Sequence, residues 1–146
     1  MTGLVIDASV AIKWVAPEAL SEAAVALLDR GPLVAPDILV AECANILWKK
    51  VIRGDMDRDT SVVAANALER VDIELVPMRL MLAESLKLSL DLDHPAYDCL
   101  YLAVALARGL PFVTADVRLV NKLRHAKDKR FAELAQALSD APAMPG

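Results

Sequence analysis

The chain has 146 residues, of which 56% are hydrophobic, and its formal net charge is −4 with a pI of about 5.1. This length suits one compact domain with its own core and leaves little room for a second. The longest uninterrupted apolar stretch, Cys99–Ala107, is too short to cross a bilayer, and the first residues lack the pattern of a signal peptide. We therefore expect a cytoplasmic protein without a membrane partner. The net acidity alone argues against nucleic acid as a partner, but residues 118–130 carry six basic side chains and a single aspartate.

Short apolar runs alternate with stretches of helical periodicity along the chain. The runs are Leu4–Ile6, Leu33–Ala35, Ile73–Val76 and Phe112–Thr114. Helix starts are marked by Ser9, Pro36, Asp57 to Thr60 and Pro95, and helix ends by Gly31, Gly54 and Gly109. The alternation predicts an α/β fold with a parallel sheet. We expect a single domain over residues 1–140 and a flexible C-terminal tail over residues 141–146.

Several classes of chemistry lack their motifs in this sequence. The five glycines are scattered, so neither the dinucleotide motif GxGxxG nor the phosphate loop GxxxxGK[ST] occurs. His94 and His125 are the only histidines, which gives little support to a Ser-His-Asp or Cys-His arrangement. Cys43 and Cys99 lie in apolar helical patterns without metal-ligand spacing, so we expect buried free thiols. The remaining chemistry must come from carboxylates.

Two aspartates follow predicted strands. Asp7 comes directly after the run Leu4–Ile6, and Asp116 comes two residues after the run Phe112–Thr114. The carboxyl ends of parallel strands share one edge of a sheet, where open α/β folds bind their ligands, so these two acids are expected to lie near each other. The alternative is that each aspartate only caps the helix that follows it.

A third acid, Asp98, stands in the first turn of the helix opened by Pro95, immediately before nine apolar residues. A carboxylate there either stabilises the positive end of the helix dipole or, because so apolar a helix is buried, meets a cation or a polar crevice. Asp91 and Asp93 lie nearby, and we expect them to cap helix ends, with Asp93 and His94 at the N-terminus of the Pro95 helix. His94 is expected to form local hydrogen bonds rather than to act as a general base.

The fourth acid, Glu42, lies within the predicted helix Ile38–Val51. On a helical wheel the apolar residues Cys43, Leu47 and Trp48 fall on the opposite side, which alone suggests a solvated glutamate. The face that carries Glu42 also includes apolar residues, so it is mixed rather than plainly exposed. The sequence therefore leaves two interpretations open for Glu42, a surface residue or a member of the acidic site.

Four segments of the chain resemble the acidic motifs of PIN-domain nucleases, in the order in which that family has them. The segments are Leu4–Ser9, Pro36–Asn45, Tyr97–Ala105 and Phe112–Leu119. In its compact length the chain resembles VapC-like toxins of type II toxin–antitoxin (VapBC) systems. The resemblance implies a three-layer α/β/α fold with a central parallel sheet of four to five strands. It also implies catalytic, metal-binding roles for Asp7, Glu42, Asp98 and Asp116, with polar support from Ser9, Asn45 and Thr114.

The same resemblance implies an activity and partners. The activity is hydrolysis of RNA phosphodiester bonds by a metal-dependent endoribonuclease, a toxin that inhibits translation and uses Mg²⁺, with Mn²⁺ as the alternative ion. Clustered carboxylates repel one another, and hard oxygen ligands suit these ions, which agrees with a bound metal. The implied partners are RNA, a second copy of the chain, and a cognate antitoxin whose C-terminal segment lies in a groove and obstructs the acidic site. The high hydrophobic content leaves apolar surface for such interfaces.

Two other functions stay open at this point. The first is a non-catalytic PIN-like module that binds RNA or protein, for which the loss of an acid is expected; all four acids are present. The second is a phosphoryl-transfer protein with Asp7 as the nucleophile. The sequence Asp7-Ala8-Ser9 lacks a second aspartate two residues on, which disfavours the second alternative.

Overall fold

A parallel sheet of five strands forms the centre of the computed structural model, which describes residues 3–140. The strands are β1 (Leu4–Ile6), β2 (Leu33–Pro36), β3 (Ile73–Val76), β4 (Phe112–Thr114) and β5 (Ala135–Ala137). Their order across the sheet is β3-β2-β1-β4-β5, and every pairing is parallel. The predicted α/β fold is confirmed; β1, β3 and β4 coincide with predicted apolar runs, and β2 extends one residue beyond its run. The predicted tail, residues 141–146, lies outside the described residues.

Helices connect the strands and complete the three-layer α/β/α architecture that the resemblance implies. Within residues 3–140 they are α1 (Ala8–Val15), α2 (Ser21–Ala26), α3 (Ile38–Ile52), α4 (Arg58–Leu68), α5 (Leu82–Leu92), α6 (Ala96–Arg108), α7 (Val117–Arg124) and α8 (Arg130–Leu134). Short 3₁₀ turns occur at Leu27–Asp29, Met78–Met81 and Leu138–Asp140. None of the helices in this part of the chain is long and apolar enough to cross a membrane.

Helix α6 packs against the sheet and belongs to the core. Its residues Cys99 and 101–105 are buried, as the unbroken apolar run predicts. The ring of Tyr101 stacks on Phe112 of β4, with the ring centroids 5.8 Å apart and the planes 17° from parallel. Because α6 begins at Ala96, its first turn carries Asp98 at the margin of this core.

The path of the chain defines where a ligand site is expected. From β1 the chain continues to β2 and β3 on one side, and it later returns to the other side of β1 as β4. Strand order therefore reverses between β1 and β4, and α/β sheets bind ligands in the crevice outside the carboxyl ends of the strands at such a point. Asp7 follows the last residue of β1, and Thr114 is the last residue of β4.

Helix starts agree only in part with the predicted markers, because Ser9 lies inside α1 and Pro36 is the last residue of β2. Asp7, Asp57 and Asp116 are N-caps, and each carboxylate accepts a hydrogen bond from the backbone N–H three residues on. Pro95 directly precedes α6. The prediction that Asp93 caps the start of that helix is wrong, because Asp93 has a φ of 50° and ends α5. Aspartate tolerates this left-handed conformation better than most residues.

Candidate functional site

Asp7 is the most buried acid at the carboxyl edge of the sheet, with 8% of its surface exposed. Its Oδ1 accepts hydrogen bonds from Ser9 Oγ at 2.5 Å and from the backbone N–H of Val10 at 3.3 Å. Its Oδ2 accepts a 2.5 Å hydrogen bond from Thr114 Oγ1. Burial, with a smaller contribution from the negative charge of Asp98, raises the pKa of Asp7 to about 6 against the opposing effect of these hydrogen bonds.

Ser9 and Thr114 join the ends of β1 and β4. The two hydroxyl oxygens lie 3.4 Å apart, and each also accepts a bond from the backbone after β4. The N–H of Ala115 donates to Ser9 Oγ at 3.0 Å, and the N–H of Asp116 donates to Thr114 Oγ1 at 3.1 Å. These bonds hold the segment that carries Asp116 next to Asp7.

Asp116 has the cap role that the sequence left open, since its Oδ1 accepts a 3.1 Å hydrogen bond from the N–H of Leu119 at the start of α7. The residue is exposed. Its Oδ2 has no hydrogen-bond partner within residues 3–140. Capping therefore occupies one oxygen of Asp116 and leaves the other accessible at the strand-end edge.

Glu42 is half-buried on α3, and its Oε1 accepts a 2.6 Å hydrogen bond from Tyr101 of α6. Burial raises the pKa of Glu42, the bond from Tyr101 lowers it, and the charge of Asp98 raises it. Burial and the neighbouring Glu42 carboxylate raise the pKa of Tyr101 well above its ordinary value, so the phenol stays a hydrogen-bond donor. Glu42 is thus not a freely solvated residue, which answers one question that the helical wheel left open.

Asp98 lies in the first turn of α6 and contacts a histidine from the preceding turn of chain. His94 Nε2 is 2.6 Å from Asp98 Oδ2, and Lys122 Nζ is 3.3 Å from the other ring nitrogen, Nδ1. His94 forms local hydrogen bonds, as predicted. Burial is the main cause of the raised pKa values of Asp7 and Glu42, and the negative charge of Asp98 adds a smaller contribution to both.

The sequence profile of the PIN domain family matches residues 4–129. The chain belongs to the PIN-domain family. PIN domains are generally nucleases. The crystal structure of PAE2754 from Pyrobaculum aerophilum is similar to this PIN domain, with a TM-score of 0.62 and 20% identity over 94% of this chain and 90% of that chain. At that identity the likeness shows the fold alone, and no curated protein matches the sequence.

Asn45 and Cys43 form no side-chain hydrogen bond with the four acids among residues 3–140 of this PIN domain. Asn45 is exposed on α3, and within residues 3–140 no side-chain hydrogen bond joins it to the acids. Cys43 is a buried free thiol, as predicted for both cysteines. Burial, with the nearby charges of Glu42 and Asp7, raises the pKa of Cys43 to about 12, so its thiol stays protonated and inert.

The carboxylates of this PIN domain offer donors that suit a divalent cation. Glu42, Asp98 and Asp116 each use one oxygen for a hydrogen bond, and among the described residues the other oxygen has no such partner. Hard, charged oxygen donors are the ligands that suit Mg²⁺ and Mn²⁺. The chemistry of the donor set suits such an ion, but within residues 3–140 no three His, Cys, Asp or Glu side chains are arranged so that they could hold one, and the structure does not bring the four predicted acids together as a metal site.

Sequence reasoning missed two polar residues of the site. Tyr101 lies three residues after Asp98 and therefore on the same side of α6, a spacing that could have signalled a shared face. Lys122 was counted only as part of the basic segment 118–130. Its contact with His94 depends on how α7 packs beside the turn between α5 and α6, which local sequence does not specify.

Proposed function

We propose that this PIN-domain protein is an endoribonuclease that depends on Mg²⁺ or Mn²⁺ bound by Asp7, Glu42, Asp98 and Asp116. The observation that carries the proposal is the set of hydrogen bonds through Ser9 and Thr114 that holds Asp7 and the segment of Asp116 together where strand order reverses. Glu42 and Asp98, on α3 and α6, each keep one carboxylate oxygen without a hydrogen-bond partner among residues 3–140. Clustered carboxylates take up protons unless a cation compensates their charge.

The chain's own residues orient the proposed ligands. Ser9 and Thr114 fix both oxygens of Asp7, whereas Tyr101 and His94 each fix one oxygen of the acid that they contact. A bound divalent ion would supply an activated water and neutralise the charge that develops on the leaving oxygen. No covalent enzyme intermediate is required, which agrees with the inert, protonated state of the nearby thiol of Cys43.

Substrate attraction is assigned to the basic segment after Asp116. Its six basic side chains are all exposed in the structure: Arg118, Lys122, Arg124, Lys127, Lys129 and Arg130. Arg118 and Lys122 lie on α7, the helix that Asp116 caps, so positive charge adjoins the acidic edge. Lysine and arginine bind the phosphates of nucleic acid in a salt-dependent manner. Single-stranded loops of structured RNA, where bases are unstacked, are the proposed cleavage sites.

The finer biological role that we propose is that of a VapC-like toxin that inhibits translation and is held by an antitoxin. A groove of about 430 Å³ between α3 and α4 supports the antitoxin part of the proposal. Its lining is mostly apolar and includes Cys43, the neighbour of Glu42, so an apolar segment seated there would adjoin the acidic site. A homodimer is supported by Leu82, Leu86 and Leu90, which repeat every four residues along α5 and are exposed.

The proposal is tested on purified protein with a structured RNA in the presence of Mg²⁺, Mn²⁺ or a chelator. Chelation and the substitution Asp98→Asn are expected to abolish cleavage, whereas Asp91→Asn, an exposed aspartate on neighbouring α5, is expected to cleave like the wild type. Cleavage that persists in chelator would contradict the metal mechanism. A folded wild type that binds RNA without cutting it would instead favour the non-catalytic binding module. Co-expression with a neighbouring antitoxin gene, with translation as the readout, tests the toxin role.

A further inference from the structure

His94 is held rigidly between α5 and α6. Its backbone N–H donates to Ser89 O at 3.1 Å, and its carbonyl accepts a hydrogen bond from Ser89 Oγ. Pro95 follows directly and restricts the backbone further. The His94 side chain is 16% exposed and lies between Asp98 on one side and Lys122 on the other. The ring therefore has a fixed place and two polar neighbours of opposite charge.

The identities of these neighbours determine which ring nitrogen carries the proton. A lysine ammonium group has only donors, so the 3.3 Å contact with Lys122 Nζ requires His94 Nδ1 to accept. In a neutral ring the proton is then on Nε2, which donates to Asp98 Oδ2 at 2.6 Å. The opposite tautomer would direct a lone pair at the carboxylate and an N–H at the ammonium group. Both contacts thus favour the same tautomer.

Lys122 is itself anchored at this position. Its Nζ donates a 2.7 Å hydrogen bond to the backbone carbonyl of Asp93, the left-handed residue that ends α5. The ammonium group thereby bridges α7 and the turn before α6. Of the six basic side chains after Asp116, this one has its charge directed at the histidine that contacts Asp98.

We propose that His94 and Lys122 are positioning residues that hold one oxygen of Asp98 and leave the other, Oδ1, available as a ligand. The inference rests on the proposed metal-dependent nuclease and extends it, because it removes Lys122 from the set of RNA-binding residues and assigns it to the orientation of an acid. Removing a residue that hydrogen-bonds to a metal ligand without contacting the metal typically lowers metal affinity or activity by roughly 10–100-fold.

The first test reads the tautomer directly by NMR of ¹⁵N-labelled protein at mildly alkaline pH. The chain has two histidines, so the spectrum of His125→Gln identifies the His94 ring. In the wild type we expect a proton on Nε2 and a hydrogen-bond acceptor at Nδ1. In the Lys122→Met variant we expect the Nδ1 resonance to move toward that of a ring nitrogen without a hydrogen bond. A proton on Nδ1, or on both nitrogens, would overturn the proposal. This readout does not depend on nuclease activity, so it separates failure of the inference from failure of the proposed function.

The second test measures Mn²⁺ binding without RNA, and cleavage kinetics with RNA. His94→Leu is expected to weaken Mn²⁺ binding roughly 10–100-fold, and His94→Gln, which keeps an N–H donor, is expected to restore part of it. Lys122→Met is expected to lower kcat with little change in KM, whereas the control Lys127→Met should change KM alone. If His94→Leu binds Mn²⁺ and cleaves like the wild type, the positioning role is disproved. If His94→Leu does not fold, the Mn²⁺ affinity of His94→Gln and the NMR result decide whether His94 positions Asp98.

Discussion

Thr114 Oγ1 donates a 2.5 Å hydrogen bond to Asp7 Oδ2, joining two residues that are 107 positions apart in the chain. Thr114 is fully buried, and Asp7 nearly so. The bond therefore links the ends of β1 and β4 inside the protein, where a carboxylate oxygen has little access to water. The direction of the bond follows from the ionised carboxylate, which can only accept, and a buried charged acceptor is costly without a donor.

Replacement of Thr114 by valine keeps the shape of the side chain and removes this donor. We expect Thr114→Val to lower the free energy of unfolding by about 1–3 kcal/mol, the usual cost of an unsatisfied buried acceptor, and to raise the pKa of Asp7 further. Thr114→Ser, which keeps the hydroxyl, serves as the control. Urea unfolding and the pH dependence of cleavage measure both effects. Equal behaviour of the valine and serine variants would show that the bond contributes little.

The raised pKa of Asp7 predicts an unusual dependence of stability on pH. The pKa of about 6 in the folded protein exceeds the ordinary aspartate pKa of 3.8, so the ionised carboxylate destabilises the folded protein. That destabilisation is fully present above about pH 6 and is relieved as the pH falls toward 3.8. Relative to Asp7→Asn, the wild type in chelator should gain on the order of 3 kcal/mol between neutral pH and about pH 4. Parallel unfolding curves for the two proteins at every pH would contradict this prediction.

Asp116 and Asp57 form a matched pair for separating capping from chemistry. Both are N-caps whose Oδ1 accepts from the backbone N–H three residues on, at 3.1 Å for Leu119 and 2.7 Å for Thr60. Asparagine caps helices nearly as well, so both Asp→Asn variants should keep their melting temperatures. Only Asp116→Asn should lose cleavage, by at least roughly 100-fold, because only that position contributes charge to the proposed metal site. Similar rates for the two variants would assign Asp116 to capping alone.

The hydrogen bond from Tyr101 to Glu42 can be removed without disturbing the stacked ring. Tyr101→Phe keeps the contact with Phe112 but deletes the 2.6 Å bond, so the pKa of Glu42 should rise and the Mg²⁺ concentration required for cleavage should increase roughly 10–100-fold. Tyr97→Phe, an exposed position on the same helix, is the control and should change nothing. Metal titrations of cleavage compare the two; identical titration curves would exclude a role for the phenol.

The leucines on α5 predict the oligomeric state. Leu86 is 54% exposed at the middle of the stripe that Leu82 and Leu90 complete. If this stripe is the dimer interface, Leu86→Asp should convert a dimer into a monomer without loss of fold, since a charge would be buried at the contact. Lys87→Asp, on a neighbouring face of α5, should remain a dimer. Light scattering with circular dichroism provides the measurement, and a monomeric wild type at high concentration would remove the proposal.

Local patterns were sufficient to predict four strands of the sheet but not the edge strand β5. The runs that became β1, β3 and β4 have the predicted bounds, and β2 is one residue longer. In contrast, β5 has the sequence Ala-Gln-Ala, which has little intrinsic strand preference and forms a strand by pairing with β4. That strand depends on tertiary context and could not be predicted from its own residues.

The sequence proposed the four acids as a site, which stays a prediction, and as polar support it named Ser9 and Thr114, which hold Asp7, but not Tyr101 or Lys122. Asp7 and Asp116 follow strand ends, a position that topology alone makes informative. Two of the missed contacts join distant parts of the chain: Tyr101 is 59 positions from Glu42, and Lys122 reaches His94, the neighbour of Asp98, across 28 positions. The helical wheel of α3 was also only partly right, because Cys43 and Leu47 are buried but Trp48 is exposed. A wheel gives the faces of a helix and not the angle at which it packs.

The pairing of β1 with β4 governs when the protein acquires its acidic site during synthesis. Asp7 leaves the ribosome early, but Thr114, which fixes its carboxylate, is translated 107 positions later. At about 5–20 residues per second, this delay lasts about 5–20 seconds. Throughout that interval the nascent chain has β1 without its β4 neighbour and lacks both Asp98 and Asp116 for most of it. If the protein cuts RNA as we propose, each nascent chain would thus be inactive until nearly all of that chain has been made.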